Sequence, residues 1–377
     1  MTLKTSVDEL TLVLQATVDD KIAIEKASDW IGKAETIITT FEGLAKFGVI
    51  FGEKQTQTKA PAGYTTCYTY GDHSFYFALA YNPENLSMGI VCKFSAESLH
   101  YYLHKAKWQV YDFLQAVKSD EYEMRLSRVD LDVEFFDERF TVNSIYTKLK
   151  AKKLEVYLQK QQQGKIIFSK KNLHYRGFNK SGLVETLYIN SPRSSVSCRI
   201  YDKQKEEIEL NKSDLATALE HKWVRFEAVF KSDYAHNLTE KMLQLSTAKE
   251  LSDLILSCWT QKFYFVQASD GKPAVYTQKM LDAMKDNSFK LYGRIPTDND
   301  LLKRFKYLIK SSGTVSTLYK IWAVFGEEDL ENAVNYILDY VIDWQPNADC
   351  KQWLKYHTDD TRNSFKNFEE IRQKIDQ

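Results

Sequence analysis

Few features of this chain point to a common protein class. Its five cysteines (Cys67, Cys92, Cys198, Cys258 and Cys350) are odd in number, scattered and without CxxC spacing. That usage speaks for a reducing compartment, against a disulfide framework and against a zinc knuckle. Its 14 glycines form neither a P-loop nor a dinucleotide fingerprint, so the chain is not expected to be an NTPase by its own residues. Seven histidines include no His-hydrophobic-His pair. His100 and His104 are one helical turn apart, but no third metal ligand accompanies them. An apolar signal core is missing, as is any run of about 18 apolar residues; a cytosolic location and no membrane partner are expected. Net charge is also lacking: 51 basic residues balance 51 acidic ones, so no global field announces a polyanionic partner.

What is present is apolar and aromatic. Forty-four per cent of the 377 residues are hydrophobic, with 23 Tyr, 21 Phe and 7 Trp, enough for a core and too many for disorder. The length fits two domains. Val7 to Gln15 alternates as a strand, with Leu10, Leu12 and Leu14 on one face. A helix is expected over about residues 23–46, then aromatic strands from Tyr64 to Tyr81, a turn at Asn82-Pro83-Glu84-Asn85, and a strand from Met88 to Phe94. Ser95 is placed to cap a helix reaching about Lys118, and a second helix is expected from Val142 to Lys160. Strand-strand-helix-strand thus recurs twice before residue 265, which predicts an α+β fold: antiparallel sheet with helices on one face. Residues 268–273 (Ala-Ser-Asp-Gly-Lys-Pro) read as a linker. Beyond them, helices near Gln278–Met284, Asn299–Ser311, Val315–Phe325, Glu328–Trp344 and Cys350–His357 predict a smaller helical domain over 274–377.

Three strands carry the chemistry. In Arg128-Val129-Asp130-Leu131-Asp132-Val133-Glu134, alternation puts the aliphatic residues on one face and Asp130, Asp132 and Glu134 on the other. In Ser195–Lys203, Val196, Cys198 and Ile200 oppose Arg199 and Tyr201, with Lys203 on that second face if the strand continues. In Trp223–Ala228, Arg225 and Glu227 oppose Val224 and Phe226. Acids at alternate strand positions are most often a solvated face. Three on so apolar a strand repel one another unless a cation compensates, and hard divalent ions favour such oxygen ligands. If the three strands share a sheet, carboxylates, arginines and a tyrosine meet on one open face, a set suited to metal-assisted attack of a tyrosine on phosphate.

Charge is also unevenly placed. Between Lys148 and Lys180 nine lysines and Arg176 face one acid, Glu155, with Tyr157, Phe168, Tyr175 and Phe178 interspersed. Exposed lysines mostly confer solubility, but so few acids suit contact with a nucleic-acid backbone, through Lys152, Lys153, Lys170, Lys171 and Arg176 among others. The C-terminal helical segment adds Lys303, Arg304, Lys306 and Lys310 before a Ser311-Ser312-Gly313 turn. This arrangement suits either a helix entering a DNA groove or a bundle serving dimerisation or a helicase.

The wording of these strands resembles the replication initiation factor (Rep_trans) family of rolling-circle initiators of plasmids and filamentous phages, with some related relaxases. Arg128–Glu134 is similar to the family's acidic strand, with Glu134 in place of an aspartate and Asp132 where alanine is common. Thr186–Ser195 is similar to its second element, Arg199-Ile200-Tyr201-Asp202-Lys203 to its third and Arg225-Phe226-Glu227 to its fourth. The resemblance spans about residues 5–265, which it marks as a catalytic nicking domain. It implies that Tyr201 is the nucleophile, becoming joined to a 5′-phosphate and freeing a 3′-hydroxyl for a polymerase. It further implies Mg²⁺ or Mn²⁺ on Asp130 and Glu227 with Glu134 and Asp132 assisting, and Arg199, Lys203 and Arg225 on the phosphate. The partners implied are origin DNA, single-stranded or as a hairpin, and a host helicase and polymerase. A relaxase of a mobile element and a non-cleaving DNA-binding regulator stay open beside this reading.

Overall fold

The computed structural model describes residues 3–162, 165–170, 173–180, 182–212, 214–284, 301–310 and 312–346, and, further on, residues 350, 354, 358, 361–362 and 365–376. Strand β1 (Leu3–Gln15) leads through a helix at Ala27–Ala45 into a meander of β2 (Lys54–Thr56), β3 (Thr66–Tyr70), β4 (Phe77–Tyr81) and β5 (Ile90–Phe94). Helices Ala96–Ala106 and Val110–Ala116 follow. The second half repeats that order. Strand β6 (Glu123–Phe136) and helix Val142–Lys150 precede an inserted pair, β7 (Leu154–Gln162) and β8 (Lys165–Lys170). The second meander is β9 (Tyr175–Lys180), β10 (Leu183–Ile189), β11 (Val196–Asp202) and β12 (Trp223–Lys231), closed by helices Asp233–Leu243 and Ala248–Lys262. The strands β1 and β6 pair antiparallel at the centre, giving one sheet in the order β2-β3-β4-β5-β1-β6-β12-β11-β10-β9. The α+β expectation holds. The repeating unit is strand, helix, four-stranded meander and two helices, longer than the one expected.

One face of this sheet is the core. Leu10, Leu12 and Leu14 of β1, Val129, Leu131, Val133 and Phe135 of β6, and Phe226, Ala228 and Phe230 of β12 are fully buried. Helix Ala248–Lys262 lies on them: the Trp259 indole nitrogen donates to the Leu131 carbonyl at 3.0 Å, and its ring packs 5.6 Å from that of Phe226. On helix Ala27–Ala45 the buried residues Trp30, Ala34, Ile37, Ile38, Phe41 and Ala45 recur at helical spacing, as an amphipathic face requires. The opposite face of β6, β11 and β12 is left to polar residues.

Several local expectations change. The helix begun at Ser95 stops at Ala106 and resumes at Val110, although Ser95 does cap it by accepting from Ser98 N–H. The helix expected over 142–160 ends at Lys150, where Lys152 takes a left-handed conformation and the chain turns into β7. Burial of alternate residues Leu154 and Val156 then favours strand over helix. Residues 268–273 form a tight turn rather than a linker: β13 (Tyr264–Gln267) pairs with β7, and Gln267 N–H donates to the Lys272 carbonyl at 2.8 Å. The sequence pattern places the following helix, Val275–Ala283, with the C-terminal helices. It belongs to the first of two compact units, Met1–Gly293 and Arg294–Gln377, and packs Tyr276 between Phe140, Phe226 and Phe265. A fragment ending at residue 268 loses that plug. It should melt well below one ending at residue 284, by a margin of about 3–5 kcal/mol expected for deleting a buried large aromatic; circular dichroism melts of the two fragments check this.

The second unit contains helices Leu301–Lys310, Thr314–Phe325, Glu327–Asp343 and Phe368–Asp376, with Phe305 and Phe368 in ring contact. The side chains of Lys303 and Arg304, Ser311, and most of the helix expected at Cys350–His357 lie outside the described residues. Among the described residues no helix is long and apolar enough to cross a membrane.

Candidate active site

Residues directly opposite one another in antiparallel strands share a face. Across the polar face the register therefore lays out two rows. One runs Asp132 (β6), Glu227 (β12), Arg199 (β11), Tyr188 (β10), Arg176 (β9). The other runs Glu134, Arg225, Tyr201, Thr186, Phe178 over the same strands. The three chemically loaded strands are thus neighbours, and Tyr201, Arg199, Arg225, Asp130, Asp132, Glu134 and Glu227 come together as the alternation predicts.

The arginines are bound by carboxylates. Arg225 reaches Asp8 at 3.1 Å and Asp132 at 3.3 Å, and donates through Nε and a terminal nitrogen to Glu134. Arg199 pairs with Glu227 at 2.5 Å, and Arg128 holds Asp130 through two donors while also reaching Glu9 at 2.8 Å. Six acids (Asp8, Glu9, Asp130, Asp132, Glu134 and Glu227) thus meet three guanidiniums. Arg225→Met would leave three buried carboxylates uncompensated. It should cost about 3–5 kcal/mol in denaturant unfolding without divalent ions, and less with them present.

Asp8 was not among the residues picked from sequence for this site. Strict alternation puts it on the face of Leu10, inside the core. However, Val7 pairs with Leu131 and Leu10 with Val129, so β1 carries one extra residue there. Such a bulge reverses which face the preceding residues occupy, and Asp8 turns to the polar side. Two adjacent acids, Asp8 and Glu9, between apolar Val7 and Leu10 were the available signal.

The bulge completes a metal-competent group. Ligand oxygens of Asp8, Asp132 and Glu227 lie within 4.8 Å of one another, and all three side chains are buried. Asp132 is fully buried, yet neither of its carboxylate oxygens has a hydrogen-bond partner. Buried polar atoms are ordinarily satisfied, so an all-oxygen set in which Asp132 accepts no hydrogen bond and has only a long contact with Arg225, at 3.3 Å, fits a hard divalent cation. By contrast, Arg128 donates to both oxygens of Asp130, and Arg225 holds Oε1 of Glu134, leaving its Oε2 without a hydrogen bond. Burial pushes the carboxyl groups of Asp132 and Glu227 up, with Asp8 adding to both and Arg199 opposing it at Glu227. Burial likewise raises Asp130 to about 7 despite Arg128.

Tyr201 is 4% exposed, with the Arg199 guanidinium 4.3 Å above its ring. Burial lifts its phenol above the usual tyrosine range; Arg225 and Arg199 pull it down, Glu227 and Asp132 push it up. A cavity of about 440 Å³ opens between Asp8, Arg128, Asp130, Tyr188, Arg199 and Glu227; Tyr188 lines it, whereas Tyr201 does not. Lys203 does not extend the row. The strand ends at Asp202, which caps helix Lys203–Leu210, and the Lys203 ammonium is buried against Glu206 at 2.8 Å and Glu207 at 2.5 Å. The basic stretch is divided too. β7 packs against helices Val142–Lys150 and Ala248–Lys262 in the layer that covers the core face. Lys152 and Lys153 are exposed just before it, and Lys170 pairs with Glu155. Lys171 lies outside the described residues. Of the basic residues singled out there, Arg176 shares the carboxylate face.

The model of the family described as replication initiation factor matches residues 124–336. This chain belongs to the replication initiation factor family. The match starts in β6 rather than near residue 5 and continues into the C-terminal helices, a different span from the one the sequence resemblance marked. It leaves out β1, so Asp8 joins the initiation factor's site from outside the matched region. Among solved structures, a rolling-circle replication initiator protein from Geobacillus stearothermophilus is similar in fold, with a TM-score of 0.51 and 18% identity over 75% of this chain and 97% of that one. No curated protein matches the chain.

Proposed function

We propose that this initiation factor starts rolling-circle replication by nicking one DNA strand at a specific origin with Tyr201. The observation that carries the reading is the placement of Tyr201 one strand from Arg225 and in the row beside Glu227 and Asp132, next to a carboxylate trio in which Asp132 accepts no hydrogen bond. The phenol oxygen forms a bond to the scissile phosphorus, and the bond from phosphorus to the 3′ oxygen breaks. Tyr201 is left joined to the 5′-phosphate, and the departing 3′ oxygen takes up a proton and becomes a primer for a host polymerase.

Each side chain has a part in this. Forming an ordinary phenolate at pH 7 costs about 4 kcal/mol, and burial adds to that here. Arg199 and Arg225 oppose the cost and face the charge that gathers on the phosphate oxygens. Arg128 and Glu134 hold Asp130 and Arg225 in place. Mg²⁺ or Mn²⁺ would be held by Asp132, Glu227 and Asp8. When bound, it supplies Lewis-acid charge that lowers the phenol's pKa and neutralises phosphate. Lys203, buried in its own ion pairs, positions the start of its helix rather than touching phosphate. Sequence recognition is assigned elsewhere, because phosphate contacts position while base contacts specify. The C-terminal helices, with Lys306 and Lys310, are the proposed source of duplex specificity or of contact with a helicase or a second copy.

The test is direct. Labelled single-stranded oligonucleotides tiled across the gene and its flanking DNA are incubated with the protein and Mg²⁺, then run on a denaturing gel. One sequence should yield a covalent protein–DNA band and a product that a polymerase extends. Extension without a covalent band would point to hydrolytic cleavage instead.

A further inference from the structure

Beyond the nicking chemistry, both rows end at the sheet edge in a cluster that the reaction as described does not use. Phe178 on the edge strand β9 is 54% exposed, and its ring meets that of Tyr188 edge to face at 5.4 Å. The Arg176 guanidinium lies over both rings, 5.4 Å from one centroid and 5.3 Å from the other. Among the described residues Arg176 makes no ion pair, unlike Arg128, Arg199 and Arg225. An exposed ring alone is ordinary, but here two aromatic rings and a guanidinium converge on one edge-strand patch in line with the site.

The occupant follows from the register. Arg176 and Tyr188 continue the row of Arg199, Glu227 and Asp132, and Phe178 continues that of Tyr201. With strands spaced ~4.8 Å apart, the edge lies about 19 Å from β6, a span that a few nucleotides of extended strand cover. Charge changes sign along the way, from carboxylates at the centre to a guanidinium at the edge with no ion pair among the described residues. A strand whose scissile phosphate sits at the carboxylates would cross Arg199 and arrive at an aromatic face carrying the Arg176 guanidinium.

We propose that Phe178 and Tyr188, with Arg176, form a base-stacking subsite for the single-stranded DNA flanking the scissile phosphate. This rests on the nicking role proposed above. Stacking accepts any base, so the subsite sets the strand's path and contributes affinity without choosing sequence.

The test uses the full chain and single-stranded oligonucleotides carrying 2-aminopurine at successive positions around the nick. In wild-type protein, quenching should peak at positions on one side of the nick. Phe178→Leu should lose that peak and weaken binding about tenfold, as removal of one stacking ring does, with an unchanged salt slope. Phe178→Trp should restore both, and Arg176→Gln should lower the salt slope by about one. Because Phe178 is exposed, its variants should melt like wild type. Nicking by wild type together with an unchanged quenching profile and affinity in Phe178→Leu overturns the stacking subsite alone. Failure of wild type to nick any single strand overturns the functional reading on which it rests.

Discussion

Tyr201→Phe is expected to bind single-stranded origin DNA as wild type does and to form no covalent adduct, a loss of about 10³-fold or more, or ~4 kcal/mol of barrier. The substitution removes one oxygen and leaves the ring, so the Arg199 guanidinium keeps its aromatic partner 4.3 Å away. At 4% exposure the phenylalanine stays where the tyrosine was, and the melting temperature should hold or rise slightly as a poorly solvated hydroxyl disappears. Binding is read by fluorescence anisotropy and attachment by denaturing gel. If the adduct persists in the variant, the nucleophile is another residue. Tyr188, opposite Arg199 in the neighbouring strand and lining the cavity beside the carboxylates, is then the next to replace.

The second large effect belongs to Asp132. In Asp132→Asn, cleavage should again fall about 10³-fold or more, each factor of ten being ~1.4 kcal/mol, while affinity for DNA changes little. Asp132 is one of the three carboxylates, makes no hydrogen bond, and loses only a long contact with Arg225 at 3.3 Å. Without divalent ions the variant should be at least as stable as wild type, since like charges in contact repel. Mg²⁺ or Mn²⁺ should raise the melting temperature of wild type, by the equivalent of about 2.7 kcal/mol at a hundredfold excess over the dissociation constant, and should leave Asp132→Asn nearly unmoved. Glu227→Gln should lose cleavage likewise, while also weakening the ion pair with Arg199. Asp130→Asn, whose carboxylate is taken up by Arg128, should retain more activity than either. Full cleavage in excess EDTA would remove the metal from the scheme altogether, and a melting shift retained by Asp132→Asn would move the ion elsewhere.

Much of the polar face is legible in the chain because strand alternation is a local rule. Asp130, Asp132, Glu134, Arg199, Tyr201, Arg225 and Glu227 each follow from a period of two within a short apolar strand, and all share the polar face. The duplicated α+β plan was legible for the same reason, since its helices and strands differ in hydrophobic period. Where the period breaks, tertiary structure decides. The bulge in β1 is fixed by pairing with β6, and it alone turns Asp8 out of the core and into the metal-competent set. Lys203 follows Tyr201 by two residues, yet capping by Asp202 starts a helix and sends its ammonium to Glu206 and Glu207. The basic stretch, continuous in sequence, is parted in space: its hairpin packs with the helix layer while Arg176 reaches the carboxylate face. Which acid meets which arginine is set by strand order and register, and those are settled only when strands about 90 residues apart close against one another, as β6 and β12 do.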